Sequence, residues 1–169
     1  DSSQSRGLGD VYKRQNVRLY WDQAVYKKPG TRDEFPWHQD NGYTFIEPQA
    51  YLTCWVALTD TDETNGCPCV LPGLHRHGTL HHDTTDLGHE IGLDSTDSLS
   101  IPLKAGSIAI FSSLTPHRTG PNLSDKVRKS YILQYAPVGA RRLISHTLTE
   151  EVNDESRQFL ILKDGLAVD

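Results

Sequence analysis

The sequence lacks any long apolar run. None of its apolar segments approaches the length of a membrane-spanning helix, and none has the form of a signal-peptide core. Cysteine is also scarce, because the 169-residue chain has only three, at Cys54, Cys67 and Cys69. An odd number of cysteines without an export signal indicates reduced thiols, so we predict a cytoplasmic protein that is not associated with a membrane.

An excess of positive charge is absent as well. Lysine and arginine together number 17, against 22 aspartates and glutamates, which gives a net charge of −5. A mildly acidic chain has no electrostatic footprint for nucleic acid or for an anionic membrane surface. We therefore expect the partner to be a small-molecule substrate, with no nucleic acid involved.

Helical periodicity is nearly absent too. After residue 15 the apolar segments are short, rich in β-branched and aromatic residues, and separated by turns. Only 148–163 has room for a helix, and the polar stretch 75–100 has the length of a lid or a binding loop. Strands joined by turns predict a mainly β chain, a sandwich or jelly roll. The predicted strands are 16–28, 51–60, 67–73, 107–117 and 128–137.

The first fifteen residues differ from the rest of the chain. The segment DSSQSRGLGDVYKRQ has no apolar periodicity and resembles translated adapter sequence. We predict that residues 1–15 are a non-native or disordered segment. Residues 16–169 have a length that suits one domain with a real core, and we predict that they form it.

A histidine and an aspartate stand two positions apart in the segment FPWHQDNGY, residues 35–43. In a strand, residues i and i+2 project from the same face, so His38 and Asp40 would point at one spot while Gln39 points away. One imidazole and one carboxylate placed side by side could hold two adjacent coordination positions of a metal ion.

This pair alone is weak support for a metal site. Composition predicts roughly 0.7 His-x-Asp matches by chance, and the chain has a second copy at His81 and Asp83. The strand-like surroundings favour the first copy. We interpret His81, His82 and His89 as residues of a solvated loop.

The segment LTPHRTGPNLSDKVRKSYILQY, residues 114–135, supplies further candidates. We predict a hairpin around TGPNLSDK that brings His117 and Arg128 to one surface. Two histidines and one carboxylate form the facial triad of non-haem Fe(II) oxygenases. An arginine could then hold the far carboxylate of a 2-oxo acid through its planar fork, and Thr119 could add a hydrogen bond.

Together these motifs resemble the phytanoyl-CoA dioxygenase family. The resemblance is carried by the His38-x-Asp40 pair, by NGCPCVLPGLHRHG, and by LKAGSIAIFSSLTPHRTGPNLSDKVRKSYILQYAP, and it runs from about residue 16 to about residue 140. It implies a double-stranded β-helix, a cupin-like jelly roll, here without the N-terminal region that the family normally has. It also implies the cofactor Fe(II), the co-substrates 2-oxoglutarate and O2, and ascorbate as a supporting reductant.

The resemblance also assigns roles to individual residues. The metal ligands carry over to His38, Asp40 and His117, and the 2-oxoglutarate clamp carries over to Arg128 with Thr119. Trp55 and Gln23 align with positions that line the co-substrate pocket. Because halogenating relatives replace the metal-binding carboxylate with a small residue, Asp40 implies hydroxylation, with release of succinate and CO2.

Two alternatives remain at this point. Cys67-x-Cys69 followed by His75-x-His77 offers four possible zinc ligands, although the spacing is not that of structural zinc sites. A catalytically inactive, cupin-like metal- or small-molecule-binding protein would keep the fold and lose the chemistry. Its signature would be a missing ligand or clamp residue.

Overall fold

The computed structural model describes residues 16–49, 51–93, 97–145 and 147–168. The predicted segment 1–15 lies outside these residues. The described residues are mainly β, with one helical turn at Asp40–Tyr43 and one 3-10 turn at Leu74–His77. The strands are β1 (Val17–Lys27), β2 (Phe35–His38), β3 (Ile46–Glu47), β4 (Leu52–Ala57), β5 (Pro68–Val70), β6 (Asp83–Thr85), β7 (Gly88–Glu90), β8 (Leu99–Ser100), β9 (Ile108–Ser112), β10 (His117–Thr119), β11 (Arg128–Pro137), β12 (Arg141–Leu143), β13 (Thr149–Glu151), β14 (Leu160–Lys163) and β15 (Leu166–Ala167).

Two antiparallel sheets enclose a central cavity. The larger has six strands in the order β15-β14-β1-β11-β4-β9, and the smaller has four in the order β2-β10-β5-β8. A three-stranded sheet, β13-β12-β3, and the hairpin β6–β7 complete the described fold. The non-sequential strand orders arise from crossovers between the two sheets, as in a jelly roll. The predicted double-stranded β-helix is confirmed.

The long strand β11 shows how its sequence divides between two faces. Every second residue from Arg128 to Ala136 is buried, while the residues between them are less buried or exposed. The inward series includes Arg128, Ser130, Ile132 and Gln134. Most of these inward side chains are polar, so this face of the sheet serves a binding site as well as a hydrophobic core.

The described apolar core divides into two clusters. One cluster packs the aromatic rings of Tyr20 and Tyr51 against Ile46 and Val152. The other packs Trp55 and Ile132 against two alanines of neighbouring strands. The space between the clusters is the cavity.

The predicted hairpin joining His117 to Arg128 is wrong. Strand β10 pairs with β2 and β5 in the small sheet, whereas β11 pairs with β1 and β4 in the large sheet. The turn TGPNLSDK therefore crosses from one sheet to the other. Its Asn122 is fully buried, and its amide nitrogen donates to the carbonyl oxygens of Lys27 and Lys126 at 2.8 Å each. These bonds tie the crossover to the end of β1.

The predicted helix at 148–163 is also wrong. This segment forms β13 and β14, joined by a turn in which the Asp154 carboxylate accepts hydrogen bonds from the Ser156 backbone and hydroxyl. Val152 is buried against Tyr20, and β14 adds to the free edge of β1. Pairing with an open sheet edge outweighs a weak helical propensity.

Among the residues that the structure describes, no helix combines the length and the apolar character needed to cross a membrane.

Gly66 offers a test of how the crossover is packed. It has a φ of +83°, and a Cβ placed there would lie 2.5 Å from the carbonyl oxygen of Gly120, which follows β10. Gly73 has a φ of +88°, but a Cβ there would meet nothing within 4 Å. Gly73→Ala should lower the free energy of unfolding by about 1–2 kcal/mol, the cost of the left-handed conformation. Gly66→Ala should cost at least about 1 kcal/mol more, because it adds a clash with rigid backbone.

Urea unfolding of the two variants measures this difference. An equal loss of unfolding free energy in the two variants would show that Gly66 and Gly120 are not in close contact.

Candidate metal centre and co-substrate pocket

His38, Asp40 and His117 converge at the cavity wall. One ligand atom from each lies within 4.8 Å of the others. The two histidines are direct cross-strand partners of β2 and β10, and their ring centroids are 4.1 Å apart. Each Nε2 lies 3.8–3.9 Å from Asp40 Oδ1, which is too far for a hydrogen bond. Ligands about 2.1 Å from a shared metal ion stand roughly 3–4.2 Å apart, so this spacing suits a metal between them.

Both histidines are held in the same tautomer by the backbone. His38 Nδ1 lies 2.8 Å from the carbonyl oxygen of Pro36, and His117 Nδ1 lies 3.0 Å from that of Thr115. A carbonyl can only accept, so each Nδ1 carries the proton and each Nε2 presents its lone pair to the site. Burial, and then the neighbouring His117, hold the pKa of His38 well below its usual value, so its ring is neutral at neutral pH.

The predicted strand alternation between His38 and Asp40 is wrong, although the two side chains do meet. Strand β2 ends at His38, and Asp40 begins the helical turn Asp40–Tyr43. Thr53 on β4 donates its hydroxyl to Asp40 Oδ2 at 2.5 Å, which leaves Oδ1 facing the histidines. The carboxylate is therefore oriented by a strand of the opposite sheet.

Gln39 points away from the site, as expected, but it is not directed to solvent. Its side chain is fully buried, and its amide nitrogen donates to the carbonyl oxygens of Gly78 and Leu114. Its amide oxygen accepts the backbone N–H of Leu80. Gln39 thus anchors two loops behind the site, a role that simple alternation does not predict.

The second His-x-Asp copy lies on the surface. His81 Nε2 lies 3.3 Å from Asp83 Oδ1, and 87% and 74% of the two side-chain surfaces are accessible. The solvated-loop interpretation is wrong for His82, whose Nε2 accepts the backbone N–H of Gln39 at 2.9 Å. His89 packs edge-on against Tyr43.

A cavity of about 810 Å³ begins at this centre and runs between the two sheets. All four residues predicted to bind the co-substrate line this cavity. No described residue of the polar stretch 75–100 lines it, so that stretch is not a lid over the cavity in this structure. The predicted residues are Gln23, Trp55, Thr119 and Arg128.

Arg128 is the largest fully buried side chain of the described residues, with 1% exposure. Its Nη1 donates to Ser130 Oγ at 2.7 Å, and its Cζ lies 5.3 Å from the centre of the Trp55 ring. Its Nε has no hydrogen-bond partner. Burial lowers the pKa of Arg128 to about 10, which leaves the guanidinium charged at neutral pH. A buried cation with an unpaired donor requires an anionic partner.

At the Arg128 end of this pocket, sequence reasoning missed the charged residue Lys27. Its ammonium lies close to Thr119 and to Gly120, at the end of β10. The alternation of side chains along β1 could have identified Lys27, because Gln23, Val25 and Lys27 share one face.

The zinc alternative is not supported by the geometry. Within the described ranges, only His38, Asp40 and His117 form a group of three or more potential metal ligands. Cys67 directly precedes β5 and Cys69 lies within it, and all three cysteines are free.

The model of the family described as phytanoyl-CoA dioxygenase matches residues 3–130. The chain belongs to the phytanoyl-CoA dioxygenase family. A phytanoyl-CoA dioxygenase from Arabidopsis thaliana is 32% identical over 115 residues, which cover 64% of this chain and 41% of that protein. A methylphosphonate hydroxylase from Gimesia maris is 33% identical over 118 residues, which cover 69% of this chain and 44% of that protein.

The solved structures agree with this family fold. EvdO2 from Micromonospora carbonacea var. aurantiaca, in complex with 2-oxoglutarate, superposes with a TM-score of 0.65 at 31% identity. The match covers 72% of this chain and 53% of EvdO2. This family member thus spans less than half the length of the two curated relatives above.

The hydrogen bond to Asp40 yields a prediction. Thr53→Val should weaken the binding of a divalent metal about tenfold or more, because the carboxylate loses its orienting partner. The matched control is Thr61→Val, since Thr61 is also buried but its hydroxyl has no hydrogen-bond partner. Competition with a chelating dye under anaerobic conditions measures both affinities. Equal affinities in the two variants would contradict this role of Thr53.

Proposed function

We propose that the protein is an Fe(II)- and 2-oxoglutarate-dependent dioxygenase that hydroxylates a small molecule and releases succinate and CO2. The observation that carries this proposal is the pairing of two features in one cavity. The first is a buried group of two histidines and one carboxylate. The second is a buried arginine whose Nε lacks a partner. A site that binds only a metal ion would need the ligand group but not the buried arginine.

The metal would be held by His38, Asp40 and His117. Two neutral imidazoles and one carboxylate are the donor set of non-haem Fe(II) oxygenases, which leaves three coordination positions for other molecules. Iron bound there supplies the activation of O2, coupled to decarboxylation of the 2-oxo acid. Ascorbate would serve as a supporting reductant.

The co-substrate would be held at its far end by Arg128. The guanidinium at the start of β11 lies over the Trp55 ring, and Trp55 is the direct cross-strand partner of Ile132. There its planar, permanently charged fork can form two parallel hydrogen bonds to a carboxylate. Thr119 adds a hydroxyl from the opposite sheet, and Gln23 lines the cavity beside it. The complex of EvdO2 with 2-oxoglutarate is consistent with 2-oxoglutarate as the co-substrate.

The substrate would enter from the opposite end of the cavity. That end is lined by Tyr20, Tyr51 and Gln134 and by the ion pair of Arg142 with Glu150. It offers hydroxyls, an amide and both signs of charge, which suits a small polar molecule. The Gimesia maris relative, which is named a methylphosphonate hydroxylase, is consistent with such a substrate.

The inactive-homologue alternative finds no support in the site. It requires a missing ligand or clamp residue, and the four key side chains are present and face one cavity. The proposed location is the cytoplasm, which fits three free cysteines.

The metal assignment can be tested by turnover. The protein with Fe(II), ascorbate and O2 should convert 2-oxoglutarate to succinate, and Asp40→Ala should reduce the rate by at least about a hundredfold, since the metal loses its only anionic ligand. Asp83→Ala, in the exposed copy of the motif, should leave the rate unchanged. The measurement is succinate released per minute. Wild-type turnover that survives Asp40→Ala would reject this metal site.

The proposed role of Arg128 as the carboxylate clamp can be tested by measuring the KM for 2-oxoglutarate. Arg128→Ala should raise the KM for 2-oxoglutarate about a hundredfold, because a buried carboxylate loses its charge-assisted hydrogen bonds. Lys129→Ala is the matched control, as the next residue of the same strand is exposed. An unchanged KM in Arg128→Ala would show that the carboxylate binds elsewhere.

A further inference from the structure

Lys27 is a second cation at the Arg128 end of the cavity. It is the last residue of β1 and the direct cross-strand partner of Arg128 in β11. It lines the same cavity as Arg128 and Thr119. Its neighbour Lys28 is exposed and follows the end of the strand. Of these two neighbouring lysines, only Lys27 points into the cavity.

The ammonium of Lys27 spans the gap between the two sheets. It donates to the carbonyl oxygen of Gly120 at 2.5 Å. It also lies 3.4 Å from both the carbonyl oxygen and the hydroxyl of Thr119. The Thr119 hydroxyl is therefore flanked by this ammonium, on the side of the pocket where the co-substrate carboxylate is proposed to bind.

Positive charge exceeds negative charge around Lys27. The acidic neighbours are Asp33 and Glu34, in the loop before β2, and Glu34 is paired with Arg118. The acidic residues at the far end of the cavity are Glu150 and Glu151 in β13 and Asp154 after it, and Val152, which follows β13, packs against Tyr20. Tyr20 is seven residues from Lys27 on β1, about 23 Å along the strand. Lys27 and Arg128 thus share a region without a carboxylate of its own inside the cavity.

Burial, and then the charge of Arg128, lower the pKa of Lys27 to about 8, while Asp33 and Glu34 oppose this shift more weakly. The two cations therefore destabilise each other in the empty pocket. An anion bound between them would relieve the repulsion and favour the charged lysine.

We propose that Lys27 is a second binding residue for the far carboxylate of the 2-oxo acid, so that Arg128, Thr119 and Lys27 form a two-cation clamp that selects dicarboxylates. This inference rests on the proposed function. It extends the clamp beyond the arginine and hydroxyl that the sequence predicts. It also assigns the pocket a preference for 2-oxoglutarate over 2-oxo acids that lack the far carboxylate.

A purely structural role for Lys27 makes different predictions. If the ammonium served only to hold Thr119 and Gly120 in place, its removal would lower stability and weaken all 2-oxo acids alike. A clamp residue affects only ligands that carry the far carboxylate. The ligand comparison separates the two roles.

The experiment is anaerobic calorimetric titration of 2-oxoglutarate and of 2-oxobutyrate into the protein loaded with Mn(II), which binds without turnover. Lys27→Met should raise the Kd for 2-oxoglutarate by between about 10-fold and 100-fold, through loss of one charge-assisted hydrogen bond. The Kd for 2-oxobutyrate should not change. Lys28→Met should match the wild type with both ligands, and Lys27→Arg should restore most of the affinity.

The wild-type protein gives an independent measurement. In the protein without ligand, Lys27 has a pKa of about 8. Lys27 therefore loses its charge between about pH 7 and about pH 9, where Arg128 is still charged, and the Kd for 2-oxoglutarate should rise about tenfold over this range. Lys27→Met should show no such rise, and 2-oxobutyrate should show none in either protein.

The outcomes distinguish the two proposals. A Kd for 2-oxoglutarate that is equal in wild type and Lys27→Met, or a wild-type Kd that does not vary over this pH range, overturns the clamp and leaves the proposed function standing. Equal weakening of both ligands by Lys27→Met also overturns it. A wild type that binds neither ligand overturns the proposed function, and the clamp with it.

Discussion

The pairing of β2 with β10 in one register is the constraint on which the site depends. It places His38 directly opposite His117, so that both imidazoles project from one face of the small sheet. A slip of one residue would turn one of them to the other face and separate the two nitrogen donors. Each ring donates its Nδ1 proton to the backbone carbonyl two residues earlier in its own segment. The tautomer is therefore set by the local backbone, and strand pairing brings the two Nε2 atoms together.

The large sheet supplies two polar side chains of the site. Thr53 orients the Asp40 carboxylate, and Arg128 reaches along the cavity towards Trp55. Each of these polar groups is buried, which costs free energy unless the group is paired. A bound cation would compensate the histidine–carboxylate group, and a bound anion would compensate the arginine and the lysine. Opposite requirements at two points of one cavity match a metal ion and a dicarboxylate that would bind side by side.

The prediction errors in the fold share a physical cause. The segments 117–128 and 148–163 were assigned from local pattern, as a hairpin and as a helix. In the structure, the first crosses between sheets because Asn122 ties it to Lys27, and the second pairs along the free edge of β1. Long-range pairing decided both outcomes, and a pattern read over ten residues contains no information about which edge is available. The anchoring role of Gln39 was not predictable for the same reason, since its partners are 39 to 75 residues away.

The sequence by itself determined the mainly β class, the family, and the residue types needed for a metal centre and a carboxylate clamp. These follow from alternation, from turn residues, and from motifs in which the chemistry limits the choice of side chain. Only the tertiary structure decided which His-x-Asp pair is buried, since the His81 copy has the same local spacing and lies in solvent. It also decided that His117 and Arg128 line one cavity from two different sheets and that Lys27 lines it with them. Such convergence depends on strand order and register, which are set by contacts between residues far apart in the chain.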